Sequence, residues 1–265
     1  MVTEYTSLLK TGWRVFRQTP GRLVWKFVWN FCWLNLWNMH RFKKRQKRGE
    51  SFFPAFNMIS VTETCNLACS GCWVTKGGRK QLTTEQLDGI INESRRHGSK
   101  FFGILGGEPL MFKGLIDLFK RHNDCYFQLF TNGTLLTDEV ARKLLEAGNV
   151  TPLISVEGLE EESDRRRQGN EVYKRTLNGV RACRKAGLIF GLAASICRNN
   201  YDELITREHI ERAAREGAAY LWYYIYRPVG ADACPEQALT QEQIRGLREF
   251  LMRERMDSPL VLIDV

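Results

Sequence analysis

The stretch AFNMISVTETCNLACSGCW, residues 55–73, joins a β-type segment to three cysteines that fall within eight positions. Residues 55–63 are rich in apolar and β-branched side chains and predict a buried strand. Cys65, Cys69 and Cys72 follow with C-x3-C-x2-C spacing, so one tight loop can fold three sulfurs around a single inorganic group. Which group this is depends on the motifs in the rest of the chain.

Five more β-type segments follow, and helical segments separate them. The helical segments at 83–98, 137–149 and 170–187 end at or beside a glycine, as capped helices do. Six βα units predict an α/β fold, a partial (β/α)6 TIM-like barrel of parallel strands, with a doubly wound open sheet as the alternative. In both folds ligands bind at the carboxyl ends of the strands. The further strand segments are residues 100–105, 125–130, 151–157, 188–195 and 220–226.

The formal net charge of +9 is confined to the first 50 residues. That segment holds 11 of the 39 Lys and Arg and 2 of the 30 Asp and Glu. The remainder therefore holds 28 basic and 28 acidic residues, and its net charge is zero. The body of the chain has no basic surplus that would follow a phosphate backbone, and we expect no nucleic-acid partner. Eight cysteines in 265 residues, with no visible secretory signal, favour a cytoplasmic protein.

The three clustered cysteines are candidate metal ligands. A structural zinc site needs four nitrogen or sulfur ligands, and the four histidines lie elsewhere in the sequence. Three thiolates leave one iron of an iron–sulfur cluster open, as a catalytic metal keeps an open position. The spacing therefore favours a catalytic cluster over zinc or free thiols.

Polar or glycine-rich motifs also follow the next three predicted strands. Residues 106–109 read GGEP, in which paired glycines let backbone approach a ligand and the carboxylate can pair with an ammonium group. Residues 131–133 read TNG, and residues 155–158 read SVEG, followed by DRRRQG at 164–169. Each motif alone is ordinary turn chemistry, but four at consecutive strand ends predict a ligand site.

In combination these motifs resemble those of the radical S-adenosylmethionine (radical SAM) enzymes, in particular the branch that contains the SPASM and molybdenum-cofactor enzymes. The resemblance covers about residues 55–230. It implies that Cys65, Cys69 and Cys72 hold a [4Fe-4S] cluster whose open iron is chelated by SAM. It also implies reductive cleavage of SAM to a 5′-deoxyadenosyl radical, with a low-potential electron donor such as a flavodoxin or ferredoxin as partner.

The same resemblance assigns residues to SAM binding. The GGEP motif corresponds to the part of the family's site that holds the methionyl ammonium group, and Ser155 with Glu157 corresponds to the region near the ribose or carboxylate. The family's D-x-x-R-G arginine matches Arg167, although the extra Gln168 leaves Arg165 and Arg166 as substitutes. The cofactor-binding candidates are thus Gly106, Gly107, Glu108, Pro109, Thr131, Asn132, Ser155, Glu157 and Arg167.

One cysteine outside the clustered three, Cys197, is the single candidate for a further catalytic group. Cys197 follows the fifth predicted strand and could serve as a radical-relay thiol or a cluster ligand. A lone cysteine at a strand end is more often a packed core residue.

The N-terminal segment combines aromatic and basic residues. Within residues 23–39, Trp25, Trp29, Trp33 and Trp37 recur at steps of four, and six basic residues follow by residue 48. The segment is too short and too polar for a membrane span of about 20 apolar residues. Tryptophan beside basic residues favours a peripheral anchor on the cytoplasmic membrane face through residues 23–48, and the alternative is a helix packed on the barrel or on a second copy.

Three regions are predicted from these patterns. Residues 1–50 form an aromatic and basic helical extension, residues 51–258 form the partial barrel, and residues 259–265 read as a seventh strand. Many relatives in the resembled family continue into a cysteine-rich domain with auxiliary clusters. One interpretation is that this chain is truncated where such a region starts.

The resulting expectation is a radical SAM enzyme that acts on an unidentified small-molecule, lipid or peptide substrate, with a lipid or membrane-associated one favoured by the tryptophan segment. A radical SAM maturase that modifies a peptide or protein is the rival within the class. The alternative outside the radical SAM class is a non-catalytic iron–sulfur protein for electron transfer or redox sensing. The GGEP motif argues against this alternative, because an electron carrier has no use for a carboxylate that binds an ammonium group.

Overall fold

The computed structural model describes residues 11–13, 16–29, 33, 35–49, 53–75, 77–230 and 232–264. Seven strands alternate with helices along this part of the chain. The strands are β1 (Phe56–Thr62), β2 (Phe101–Gly106), β3 (Tyr126–Thr131), β4 (Val150–Ser155), β5 (Gly191–Ile196), β6 (Tyr220–Ile225) and β7 (Val261–Asp264). The helices are α1 (Gly21–Phe27), α2 (Asn35–Lys47), α3 (Thr84–Arg96), α4 (Leu115–Arg121), α5 (Asp138–Ala147), α6 (Glu160–Arg167), α7 (Val172–Ala186), α8 (Tyr201–Leu204), α9 (Arg207–Arg215) and α10 (Gln241–Glu254).

The seven strands form one sheet in the order β1 to β7, and every neighbouring pair is parallel. A doubly wound sheet reverses its strand order partway across, so this sequential order agrees with the predicted partial barrel and not with the alternative. β7 lies within the segment that reads as a seventh strand in the sequence, and it pairs with β6 in continuous register from Tyr220–Val261 to Tyr223–Asp264.

The helices α3, α5 and α7 begin and end close to where the sequence predicts. Thr83 caps α3 in a reciprocal pair with Gln86, and Thr137 caps α5 by accepting the N–H of Val140. Both α5 and α7 end at a left-handed glycine, Gly148 and Gly187. These caps fix the lengths of the crossovers, and the helices cover the outer face of the sheet.

The N-terminal segment lies against the loops at the amino ends of the strands, opposite the strand ends that carry the motifs. The Thr11 hydroxyl donates to the carbonyl oxygen of Pro259, just before β7. A Cβ on Gly148, before β4, would stand 3.3 Å from Leu23, and one on Gly187, before β5, would stand 3.1 Å from Pro20. The segment therefore closes the amino end of the barrel.

Several aromatic side chains of this segment point away from the barrel. Trp25, Trp29, Trp33 and Trp37 are 63%, 46%, 61% and 59% exposed. No helix of the described residues is both long enough and apolar enough to cross a bilayer. Three residues of the tryptophan segment, Phe31, Cys32 and Leu34, lie outside the described residues.

The division of the chain at residues 50 and 258 stays a prediction. In the structure contacts cross both boundaries: Thr11 donates to Pro259, a Cβ on Gly148 would stand 3.3 Å from Leu23, and β7 pairs with β6.

Candidate functional site

The cysteine loop follows β1 at the carboxyl end of the sheet. Cys65 is exposed, and Cys69 and Cys72 are partly buried. Burial raises the pKa of the Cys69 thiol to about 11. The positive charge of Arg167 lowers this pKa, and the neighbouring Cys72 and Cys65 raise it. Burial also raises the pKa of Cys65. The thiols thus lie close enough to interact, and any metal that binds them must displace protons from Cys65 and Cys69 at neutral pH.

The donor set of this loop fits an iron–sulfur cluster better than a single metal ion. Within the described ranges, no three His, Cys, Asp or Glu side chains stand close enough together to bind one ion. The three cysteines of a cubane cluster bind three different irons, so their sulfurs need not converge on one point. Thiolates are also the ligands that such clusters take.

The cysteine loop turns tightly against β6. Gly71 has φ +68°, and a Cβ there would stand 2.4 Å from the hydroxyl oxygen of Tyr226. Both the left-handed backbone and the close approach require glycine. The same hydroxyl accepts the backbone N–H of Cys234 at 3.0 Å, so the segment after β6 is also fixed to the loop.

The GGEP turn lies directly against the backbone that leads into the cysteine loop. Gly106 has φ +143°, and a Cβ on it would stand 2.3 Å from the carbonyl oxygen of Thr62. A Cβ on Gly107 would stand 2.3 Å from the carbonyl oxygen of Thr64. The Gly107 N–H donates to Thr62 at 2.6 Å, and the Glu108 N–H to Thr64 at 2.9 Å. The paired glycines therefore allow the GGEP turn to pack closely against the backbone before the cysteine loop. This role is additional to the predicted approach of the glycines to a ligand.

Glu108 connects the GGEP turn to the TNG turn. Its side chain is fully buried, and its carboxylate accepts the hydroxyl of Thr131 at 2.8 Å and the backbone N–H groups of Asn132 at 2.8 Å and Leu110 at 3.1 Å. Burial raises the pKa of Glu108 in spite of these donors and the nearby charge of Arg167. Pro109 is buried and begins a short 3-10 turn beside it.

The TNG turn reaches the cysteine loop through amides. The side-chain amide of Asn132 donates to Asn66 Oδ1 at 2.9 Å and lies 3.9 Å from Cys65 Sγ. Asn66 in turn donates to the hydroxyl of Thr134 at 2.8 Å. Asn66 was not among the predicted site residues, although its place directly after Cys65 was a signal that the sequence offered.

Arg167 joins the ends of β3 and β4 below the surface. It is 2% exposed, and its guanidinium donates to the carbonyl oxygens of Asn132 at 3.1 Å and Ser155 at 2.6 Å and to Thr176 at 3.1 Å. Its Nε is buried without a hydrogen-bond partner among the described residues. The predicted site residue Ser155 therefore takes part through its carbonyl group.

Arg166 forms the closer of two ion pairs with Glu157, and Arg167 Nη2 lies 3.9 Å from Glu157 Oε1. Arg166 Nη1 lies 2.5 Å from Glu157 Oε2 and 2.6 Å from the carbonyl oxygen of Ser195, and its guanidinium stands 5.7 Å from the ring centre of Tyr226. Arg165 points outward and pairs with Glu162. Arg166 also holds the cysteine loop, because its carbonyl oxygen accepts the N–H of Ser70 at 2.8 Å.

The end of β5 supplies Ser195, which was not among the predicted site residues, and Cys197, the predicted radical-relay thiol or cluster ligand. The hydroxyl oxygen of Ser195 accepts an N–H of Arg166 at 3.1 Å, and the backbone N–H of Ser195 donates to Glu157 at 3.2 Å. Cys197 is fully buried, and its N–H donates to Asn200 Oδ1 at 2.8 Å. All of the candidate residues thus lie at the carboxyl end of the sheet, with Cys197 beneath the surface.

The model of the Radical SAM superfamily matches residues 59–216, more than half of the chain. Among curated proteins, the chain is 32% identical over 200 residues to the mycofactocin maturase MftC of Mycolicibacterium smegmatis, covering 72% of this chain and 50% of that one. It is 27% identical over 207 residues to the Fe-coproporphyrin III synthase of Methanosarcina barkeri, covering 74% and 50%. The chain spans about half the length of the curated relatives it matches.

Solved structures agree with the fold. SuiB of Streptococcus suis bound to the precursor peptide SuiA aligns with a TM-score of 0.72 at 17% identity, covering 84% of this chain and 51% of that one. The same protein bound to S-adenosylmethionine aligns with a TM-score of 0.72, covering 87% and 55%. At this identity the match establishes the fold alone.

Proposed function

The chain belongs to the radical SAM superfamily, and on this premise we propose that it is an enzyme that cleaves SAM reductively and modifies a peptide substrate. When bound, the [4Fe-4S] cluster would supply the electron for the reductive cleavage of SAM to a 5′-deoxyadenosyl radical, which would abstract hydrogen from the substrate. Cys65, Cys69 and Cys72 would hold the cluster.

One observation carries the proposal: buried groups tie the four motif-bearing strand ends to the cysteine loop. Glu108 joins the second strand end to the third, and Arg167 joins the third to the fourth. Asn132 and Arg166 then contact the cysteine loop at Cys65 and Ser70. An electron carrier needs a bound cluster but has no use for such an ordered set of carboxylate, amide and guanidinium groups beside it, which favours an enzyme.

The cofactor roles of the remaining residues follow from their exposure. Glu108 is buried with both oxygens occupied, so it would act by holding the backbone of Gly106 and Gly107 toward the methionyl ammonium group. Glu157 is held by Arg166 and Ser195 and would orient the ribose side of the site. These roles position SAM, and none of them moves a proton.

A peptide substrate is favoured by the relatives and by the barrel interior. MftC is a maturase by name, and SuiB was solved with a precursor peptide. Phe130 of β3 and Trp222 of β6 are not on neighbouring strands, yet their ring centres lie 6.1 Å apart, so both face the interior. The indole N–H of Trp222 has no hydrogen-bond partner among the described residues, and a backbone carbonyl of a peptide could accept it.

The test is 5′-deoxyadenosine formation after anaerobic reconstitution with iron and sulfide and reduction by dithionite. The wild-type protein is expected to form it, Cys69→Ala to form none, and Cys125→Ala, whose thiol is buried in the core, to match the wild type. A reconstituted protein that contains iron but yields no 5′-deoxyadenosine would leave the non-catalytic iron–sulfur reading instead.

We further propose that the N-terminal segment binds an anionic membrane surface. The supporting observation is the set of outward indoles on a segment beside a basic run, which is the composition of an interfacial anchor. This face lies at the amino end of the barrel, away from the cysteine loop. Attachment to a membrane would therefore leave the carboxyl end of the barrel, where the candidate site lies, facing water. A water-soluble peptide is therefore favoured over the bilayer lipid that the sequence alone suggested.

Vesicle co-sedimentation tests the membrane proposal. Replacing Trp25, Trp29 and Trp37 with Ser should weaken binding to phosphatidylserine vesicles at least about tenfold, because each change removes a large apolar surface. Trp73→Ser is the matched control, since that indole is 54% exposed but lies on the cysteine loop. Unchanged sedimentation of the triple variant would exclude this anchor.

A further inference from the structure

Within the seven described strands, the inward face of the sheet carries no charged side chain. Side chains alternate between the two faces of a strand, and those that pack in the core beneath the helices, such as Phe102, Leu129 and Leu192, mark the outward face. The alternate positions face the barrel interior, and none of those in the described strands is Asp, Glu, Lys, Arg or His. A charged group that enters the interior would therefore lose hydration and find no opposite charge there.

A layer of side chains closes the interior on the side away from the cysteine loop. Gln128 Nε2 of β3 donates to the hydroxyl of Tyr220 of β6 at 2.9 Å, although these strands are not neighbours. Gly191, which pairs with Tyr220, makes room for it, because a Cβ on Gly191 would overlap the Tyr220 ring. A ligand that enters from the carboxyl end of the strands therefore stops at this floor.

Above the floor, aromatic rings line the interior. Phe130 and Trp222 stand two residues further along β3 and β6, and Trp222 stacks on Tyr224 with ring centres 5.0 Å apart and 22° between the ring planes. All three side chains are partly exposed. Neither β3 nor β6 is at an edge of the sheet, and helices cover the outward face. The rings are therefore exposed toward the barrel interior and its carboxyl end.

The edge strand β1 adds a thioether to the same space. Met58 faces the interior, yet 47% of it is exposed. A Cβ on Gly103 would overlap Met58 Sδ and would stand 3.2 Å from the Phe130 ring, so this glycine leaves room for both side chains. Together Met58, Gly103, Phe130, Trp222 and Tyr224 line what we call the interior pocket.

We propose that the interior pocket holds an uncharged aromatic side chain, Phe, Tyr or Trp, of the substrate peptide, an inference that rests on the proposed function. Stacked rings and a methionine sulfur favour a flat aromatic group over an aliphatic one. The uncharged lining disfavours acidic and basic side chains. The indole N–H of Trp222, which is buried without a partner among the described residues, would donate to the backbone of the same peptide residue.

Short blocked peptides test the preference of the pocket. The reconstituted protein with SAM is titrated with acetyl-Gly-Gly-Xaa-Gly-Gly-amide, in which Xaa is Trp, Leu, Glu or Lys, and saturation-transfer NMR measures the affinities. The Trp peptide should bind at least about tenfold more tightly than the Glu and Lys peptides, which must lose hydration, and at least about threefold more tightly than the Leu peptide. Equal affinity of the Trp peptide and any of the other three would overturn the proposal.

A charge placed in the pocket tests where the peptide binds. Met58→Glu puts a carboxylate at a position that is already exposed, and it should weaken binding of the Trp peptide at least about tenfold. The same variant should bind the Lys peptide more tightly than the wild type does, a gain that misfolding cannot produce. Met252→Glu, at a 70% exposed position of α10, is the matched control and should bind all four peptides like the wild type. Unchanged binding of the Trp peptide to Met58→Glu would overturn the assignment of the pocket.

The formation of 5′-deoxyadenosine separates this inference from the proposed function. A wild-type protein that forms 5′-deoxyadenosine with dithionite but shows no preference for the Trp peptide would overturn the interior pocket and leave the proposed SAM cleavage in place. A wild-type protein that forms none would contradict the proposed function, and the peptide titrations would still decide what the interior pocket binds.

Discussion

Arg166 Nη1 lies 2.5 Å from Glu157 Oε2, and both side chains are almost buried, at 8% and 12% exposure. The pair connects the end of α6 to the segment after β4, and the carbonyl oxygen of Ser195 completes the environment of the guanidinium. Because the same arginine holds Ser70 through its backbone, the position of the cysteine loop depends on this ion pair.

Removing one member of this pair should destabilise the protein and the loop together. Glu157→Gln leaves a buried guanidinium without its counter-charge, and we expect a loss of about 3 kcal/mol in the free energy of unfolding. Urea denaturation of the metal-free protein measures it. Arg142→Ala, which breaks an ion pair with Glu146 that is exposed on both sides, should cost less than about 1 kcal/mol. Similar losses for both variants would contradict the assignment of Arg166.

Gly71 should be required for cluster assembly. Gly71→Ala places a Cβ against the Tyr226 hydroxyl in a left-handed backbone, so the loop must shift, and the iron bound after reconstitution should fall several-fold. Gly77→Ala is the matched control, because Gly77 has φ +71° but nothing within 4 Å of its Cβ position. Iron and sulfide assays compare the two, and an equal loss would attribute the effect to backbone strain alone.

Glu108 should give stability a pH dependence that Glu108→Gln lacks. Burial raises the pKa of the folded carboxyl above its unfolded value, so the folded state binds more protons between these two pKa values. Stability from this group is therefore complete below the unfolded pKa of about 4.3 and falls as pH rises toward the raised pKa. Urea unfolding of the metal-free proteins from pH 4 to pH 8 measures the difference. A difference between the two proteins that stays constant with pH would contradict this assignment.

His209 should act in the opposite direction. Burial, aided by the charge of Arg212, lowers its pKa to about 4, and its Nε2 has no hydrogen-bond partner among the described residues. The unfolded state takes up the proton first, so stability falls by up to about 3 kcal/mol as pH drops from about 6.5 to about 4. His209→Gln should reduce this dependence. His97→Gln, an exposed control, should retain it. Parallel pH profiles for His209→Gln and the wild type would rule out His209 as the source.

The site residues differ in how far the sequence could assign them. The cysteine spacing and the motifs at four strand ends predicted that the candidate site lies at the carboxyl edge of the sheet. The partner of Glu157 could not be chosen, because α6 reads EEESDRRR and contains no apolar residue whose period would indicate the inward face. Glu108 was expected to face a ligand, but tertiary contacts from β3 occupy its carboxylate.

The N-terminal segment shows the same limit on a larger scale. Its tryptophan period and basic run were plain in the sequence, but the end of the barrel that it covers depends on contacts with Pro259, Gly148 and Gly187, more than 100 residues away. The prediction of a lipid substrate assumed that this segment lies near the carboxyl end of the barrel, beside the candidate site.

The sequence by itself determined the alternation of strands and helices, the three-thiol loop and the family, because local hydrophobic period and ligand spacing are written in consecutive residues. Only the tertiary structure decided which arginine meets Glu157, what holds Glu108 and which end of the barrel carries the exposed indoles. Those outcomes depend on the rotation of helices and the packing of distant segments, which minimise buried unpaired charge across the whole molecule.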